Sequence, residues 1–223
     1  NWQTKAEVGS LQLTKAAIFD IQSHEDFIFL ATGDGAVIKV DLHTNTVLQR
    51  VSHAVKSARC LAVNAGANEL AVGYSDHYIR VFDLATLQLR HEWKAHENSV
   101  FTIRYTPDGQ TLLSGSRDAR LKAWNAAAGY TQQAEVVAHM YAINHIEFSP
   151  AGKHFVTCSM DKSIKVWDVA TLSLLKVIDK ARHAGHGTSV NKLLWTSHHN
   201  QLVSASDDRS LSVWNLTFQT PSI

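Results

Sequence analysis

SGSRDARLKAWN (114–125), TCSMDKSIKVWD (157–168) and SASDDRSLSVWN (204–215) are one sentence written three times. Each opens on Ser or Thr, places Asp four residues later and Trp six beyond that, and follows a histidine by eighteen residues. The resulting sets are His96/Ser114/Asp118/Trp124, His139/Thr157/Asp161/Trp167 and His186/Ser204/Asp208/Trp214, displaced by 43 and then 47 residues. A period in the forties marks an array of one supersecondary unit, and it governs how any single residue inside it is read. GYSDHYIRVFDL (73–84) is a worn copy with Phe82 at the Trp position, and GDGAVIKVDL (33–42) is a fainter fifth.

Apolar runs precede the repeated strings: VFTIRYTPDG (100–109), INHIEFSPAG (143–152) and VNKLLWTSHH (190–199). After the strings comes a hairpin and another strand, nearly duplicated in DLATLQL (83–89) and DVATLSL (168–174). Pro107 and Pro150 fall just after the first run, where a turn begins. Short apolar segments separated by turn residues predict four strands per unit.

These strings resemble the WD40 repeat family, and the resemblance covers essentially the whole chain. Three repeats end in Trp-Asp or Trp-Asn and carry the histidine, with a literal Gly-His at Gly185-His186, and two do not. The resemblance implies an all-β, WD40-like β-propeller of about five four-stranded blades standing radially round a channel. It also implies a rigid platform for proteins or peptides, a fold-level analogy only.

Imidazole, hydroxyl, carboxylate and indole N–H can join in one chain. Trp donates to the hydroxyl, the hydroxyl to His, and His to Asp. Ser, His and Asp also invite a nucleophilic triad. A catalytic centre is needed once, however, and this set occurs three times at fixed offsets, which favours a structural network.

Lys+Arg 21 against Asp+Glu 20 gives a net charge of +1, without the basic footprint of a nucleic-acid binder. The sequence holds no apolar stretch long enough to span a bilayer as a helix. Cys60 and Cys158 fall in strand patterns of different repeats, as reduced core residues would, which is compatible with a cytoplasmic setting. The expectation is one propeller domain over 1–223, with a fragment of a longer propeller as the rival.

The stretch WQTKAEVGSLQL (2–13) reads as a turn and a strand, and the chain stops soon after Trp214-Asn215. Docking that strand beside 209–216 would complete the last blade and close the ring, removing exposed edges. An open arc is the alternative.

No cofactor or metal is expected. His183/His186 and His198/His199 have no Cys or carboxylate cluster near them in sequence, His186 already belongs to a network, and a tetrahedral site wants three or four ligands. Gly33-Asp34-Gly35 lies between two strands rather than before a helix, so it reads as a turn and not a phosphate loop.

Recognition residues are sought where aligned positions differ. The position before the network Asp holds Gly33, Ser75, Arg117, Met160 and Asp207; one loop position holds Asn98, Tyr141 and Thr188. The second residue of the inner strand is aligned as Ala17, Arg59, Phe101, Asn144 and Asn191. Aromatic residues, Arg and Met are favoured in interface cores, which selects Arg59, Phe101, Arg117, Tyr141 and Met160 as partner-binding candidates. A non-catalytic protein- or peptide-binding scaffold is the expected function. The alternatives are a propeller enzyme with a site at the channel mouth and a nucleic-acid-binding platform.

Overall fold

Four apolar-then-turn segments per repeat become four antiparallel strands. The structure, a computed structural model, describes residues 3–7 and 9–218. The first sheet contains β1 (Ile18–His24), β2 (Phe27–Thr32), β3 (Ala36–Asp41) and β4 (Thr46–Ser52). The second contains β5 (Ala58–Asn64), β6 (Glu69–Tyr74), β7 (Tyr78–Asp83) and β8 (Leu89–Lys94). In the third are β9 (Val100–Tyr105), β10 (Thr111–Ser116), β11 (Arg120–Asn125) and β12 (Thr131–Val137). The fourth holds β13 (Ile143–Phe148), β14 (His154–Ser159), β15 (Ile164–Asp168) and β16 (Leu174–Ile178). The last is three-stranded: β17 (Val190–Trp195), β18 (Gln201–Ser206) and β19 (Leu211–Asn215). Between the last two sheets lies a single short helix, α1 (Lys180–His183).

Within each sheet strands pair in chain order, and the innermost strands β1, β5, β9, β13 and β17 pack in succession, each of the first four on the one after it. Second strands such as β6 are buried throughout, whereas outer strands such as β8 are almost wholly exposed. Hence the core lies between blades. Val72, Leu70 and Phe82 of the second blade pack on Phe29 and Val37 of the first, while Val190, Leu193 and Trp195 of the last pack on Val156 and Val166 of the fourth. Glycine permits the closest approaches: a Cβ on Gly115 would stand 2.7 Å from Ile143 Cγ2, and one on Gly73 2.7 Å from Val100 Cγ1.

The duplicated hairpins fold identically for a local reason. Asp83 and Asp168 accept from the N–H groups of Thr86 (2.7 Å) and Thr171 (2.9 Å), while Leu87 and Leu172 take left-handed φ of 54° or less.

The expected all-β propeller of five sheets is present, but its expected closing strand is not. Residues 3–7 and 9–13 form no strand, residues 1, 2 and 8 lie outside the described residues, and β19 is the outer strand of its sheet. The stretch instead carries a left-handed turn at Lys5, and Leu13 packs against Leu30, Ile38 and Val40. Its apolar anchor is therefore held by the first blade rather than the last. Among the described residues β17 makes no packing against β1 comparable to that between successive inner strands. Leu194, Leu211 and Val213 of the last blade are 59–73% exposed, on the face a further blade would cover. The described residues form an open arc.

Candidate functional site at the channel mouth

The repeated sets close as hydrogen-bonded networks. His96 Nε2 lies 2.8 Å from Ser114 Oγ and its Nδ1 3.0 Å from Asp118, while Trp124 Nε1 donates to Ser114 Oγ at 2.8 Å. The corresponding distances are 2.7, 2.9 and 2.9 Å around His139, and 2.8, 3.0 and 2.9 Å around His186. The hydroxyl oxygen is thus taken by an indole N–H, and the carboxylate is also bound by backbone N–H groups, such as those of Glu97 and Arg120 on Asp118. Burial opposes ionisation of Asp118, but the His96 hydrogen bond and charge, with those N–H groups, hold its carboxyl down at about 2. Burial pushes His139 below its ordinary value, so at neutral pH its bond to Asp161 joins a neutral ring to a carboxylate. These three centres are structural: each nucleophile candidate is buried, with its hydroxyl occupied on both sides.

The worn blade replaces the network by something different. Val72 and Phe82 stand where Ser and Trp would, so donor and acceptor disappear together and neither is orphaned. The remaining carboxylate, Asp76, accepts instead from buried Arg80 at 2.8 Å.

Above the networks, one backbone device recurs in all five blades. Each innermost strand shifts register across its second residue, a β-bulge, and the bulged residues are Phe19, Arg59, Phe101, Asn144 and Asn191. Bulges re-aim side chains, and here all five line one cavity of about 230 Å³ at the mouth of the channel. The first blade's member is Phe19 and not Ala17, which lies before β1 and accepts from Gly33 N–H. Sequence alignment missed it because the inner strand of the first blade lacks the shared apolar pattern.

The third residue of the inner strand connects neighbouring blades. Asp20 accepts from Leu61 N–H at 2.8 Å, Thr102 from Ile146 N–H at 3.1 Å, and His145 Nδ1 lies 3.4 Å from Leu193 N–H. Burial, with the charges of Lys192 and Arg104, pushes His145 far below its ordinary value, which leaves the ring neutral and able to accept. Lys192 holds this position in the last blade, is exposed, and can only donate.

A second set surrounds the mouth. The residue before the network Asp donates its N–H to the residue before the inner strand in every blade: Gly33 to Ala17, Ser75 to Ser57, Arg117 to Ser99, Met160 to Ala142 and Asp207 to Ser189, at 2.7–3.1 Å. Backbone equivalence is therefore maintained where side chains differ. Of the five sequence-selected residues, Arg59 and Phe101 line the cavity and contact each other, guanidinium to ring centroid 4.9 Å. Arg117, Tyr141 and Met160 lie outside it on the exposed loops of the same end, Tyr141 60% and Met160 51% exposed. Sequence reasoning missed Met140 beside them, 81% exposed, because it follows the network His139. Among the described residues no group of three or more His, Cys, Asp or Glu is placed to hold a metal.

The family model of the WD40 repeat (WD domain, G-beta repeat) matches residues 87–125, 130–168 and 179–215, together more than half the chain. WD repeat-containing protein 91 of Danio rerio is 30% identical over 96 residues, covering 41% of this chain and 13% of that protein. Human striatin-3 is 29% identical over 132 residues, covering 59% of this chain and 15% of its own length. The chain thus matches a small part of each relative. A chain in the crystal structure of a mitotic checkpoint complex superposes with a TM-score of 0.80 over 91% of this chain and 62% of its own, at 23% identity, a likeness of fold. With three repeats matched by the model and five blades built on one plan, the chain belongs to the WD40 repeat family.

Proposed function

We propose that this chain is a non-catalytic scaffold domain, spanning residues 1–223, that binds a protein or peptide on the face where the network His and Asp residues lie. The observation that carries the reading is the contrast at equivalent positions: one backbone hydrogen bond recurs in all five blades beneath Gly33, Ser75, Arg117, Met160 and Asp207, whose side chains share nothing. A common frame with private side chains suits recognition, whereas catalysis asks for a unique acid, base and nucleophile. Met140, Tyr141 and Met160 add exposed apolar surface, of the residue types enriched in interfaces. The chain of similar fold comes from a mitotic checkpoint complex, an assembly, which accords with a partner-binding role. The unpaired, buried Cys60 and Cys158 accord with a reducing, cytoplasmic setting.

Affinity capture with an Arg117→Glu, Tyr141→Ala, Met160→Ala variant tests the reading. The variant should lose the main partner while its melting temperature stays unchanged, since these residues are exposed. Lys153→Glu with Gln110→Lys, on turns at the opposite end, should retain it. The reverse pattern would place binding on the other face, and turnover of a substrate that depends on a channel-mouth residue would overturn the non-catalytic reading.

A further inference from the structure

Three cations, Arg59, Arg104 and Lys192, and one acid, Asp20, line the cavity at the mouth of the channel, and of the three cations Arg104 is the one paired with a carboxylate, that of Glu147. Arg59 lies with its guanidinium carbon 4.1 Å from the Phe19 ring centroid and 4.9 Å from that of Phe101. Two bulges, one on each neighbouring inner strand, aim those rings at it. Among the described residues no carboxylate lies within ion-pair distance of either Arg59 or Lys192, although both line the same cavity. The nearby acids are engaged: Asp20 accepts Leu61 N–H at 2.8 Å, and Glu147 sits 3.6 Å from Arg104.

Rings that contact a guanidinium by cation–π interaction occupy its faces and leave its N–H edges for a planar or tetrahedral oxyanion. Partial burial strengthens such a bond, because the competing water is fewer. A cavity of about 230 Å³ holds several waters at roughly 30 Å³ each, or the head of one side chain.

We propose that the channel mouth binds an oxyanion carried on a partner's side chain, a carboxylate or a phosphate ester, with Arg59 as the forked donor between Phe19 and Phe101 and Lys192 as the second cation. The site rests on the platform reading and names what that platform selects. Arg59 is then an anchor presented ready-made, its side chain already ordered by the rings, so little rotamer freedom is lost on binding.

The test uses the full chain and immobilised pools of degenerate octapeptides with one fixed central residue: Glu, phosphoserine, Gln, Ser or Lys. Retention on the Glu or phosphoserine pool should exceed that on the Gln and Ser pools by about tenfold, as charge-assisted bidentate bonds require. The ranking of Glu against phosphoserine identifies the source of the oxyanion. Arg59→Met should reduce the preference to within about twofold, and Lys192→Met should reduce it severalfold with no loss of folding. If Arg59→Met does not fold, Arg59→Lys keeps the charge and should still lose most of the preference, because the fork is gone. Equal retention on all pools, retention on none, a preference for Lys, or a preference undiminished by the Arg59 variants would each overturn the site. Should that happen while the Arg117/Tyr141/Met160 variant still loses its partner, the platform stands without this specificity. Should Arg59-dependent preference hold while that variant keeps its partner, the outer loop residues are the wrong assignment and the channel mouth remains.

Discussion

Replacing His139 by Ala tests whether the repeated networks hold the blades. Its Nε2 accepts from Thr157, whose oxygen already accepts from Trp167, so the variant leaves a fully buried hydroxyl hydrogen without an acceptor. Asp161 loses its 2.9 Å bond to the ring but keeps Met140 N–H, Ser163 N–H and the Ser163 hydroxyl. One orphaned hydroxyl costs about 1–3 kcal/mol and the lost bond to a charged group about 1.5 kcal/mol, so the sum is about 2.5–4.5 kcal/mol. For a chain of this size that lowers the melting temperature by about 5–18 °C. His91, on exposed β8 and outside any network, should cost less than about 0.5 kcal/mol on the same change. The assay is denaturant unfolding of both variants beside the parent chain. Equal midpoints for His139→Ala and His91→Ala would refute the structural role of the network.

The paired carboxyls make stability fall in acid: Asp118 has a folded value near 2 against an unfolded one of about 3.9, so its contribution is present above pH 4 and lost as pH falls towards 2. His145 acts at higher pH. Its folded value is depressed and its neutral form is bound, so stability is lost as pH falls below about 6.5, and His145→Gln should flatten the melting profile between pH 7 and 5. Gly115→Ala should destabilise by about 1–3 kcal/mol through the clash with Ile143, measured by urea unfolding, whereas an unchanged midpoint would mean that blades three and four do not approach so closely. Deleting residues 1–13 should uncover Leu30, Ile38 and Val40 and speed amide exchange in β2 and β3, leaving β18 and β19 unaffected; faster exchange in the last blade instead would restore the closing-strand reading.

The parts legible in the sequence were those that repeat. Three networks were readable from spacing alone because each keeps a hydroxyl, an imidazole, a carboxylate and an indole N–H at the same intervals, as a buried set of donors and acceptors requires. Fold class followed. Phe19 was not legible, since a bulge inserts one residue without a sequence mark and the first blade has no network to fix its alignment. Lys192 had no signal either: its importance comes from facing Arg59 across a cavity, a relation between distant strands. The closing strand failed because strand-like alternation in 2–13 is short, and a single anchor, Leu13, found apolar surface on the nearer blade.

Among the described residues successive inner strands pack on one another while the first and last do not to a comparable degree, so the opening of the mouth is held by contacts between neighbouring blades. Each interface can yield slightly without breaking any sheet, as in other arrays whose units contact only the next. Phe19 and Lys192 are carried on the two end blades and Arg59 and Phe101 on blades between them. The aperture between the two cations is therefore set by the accumulated angle of several interfaces. Small rotations spread along the arc would alter the grip of the mouth while leaving every network within its blade intact.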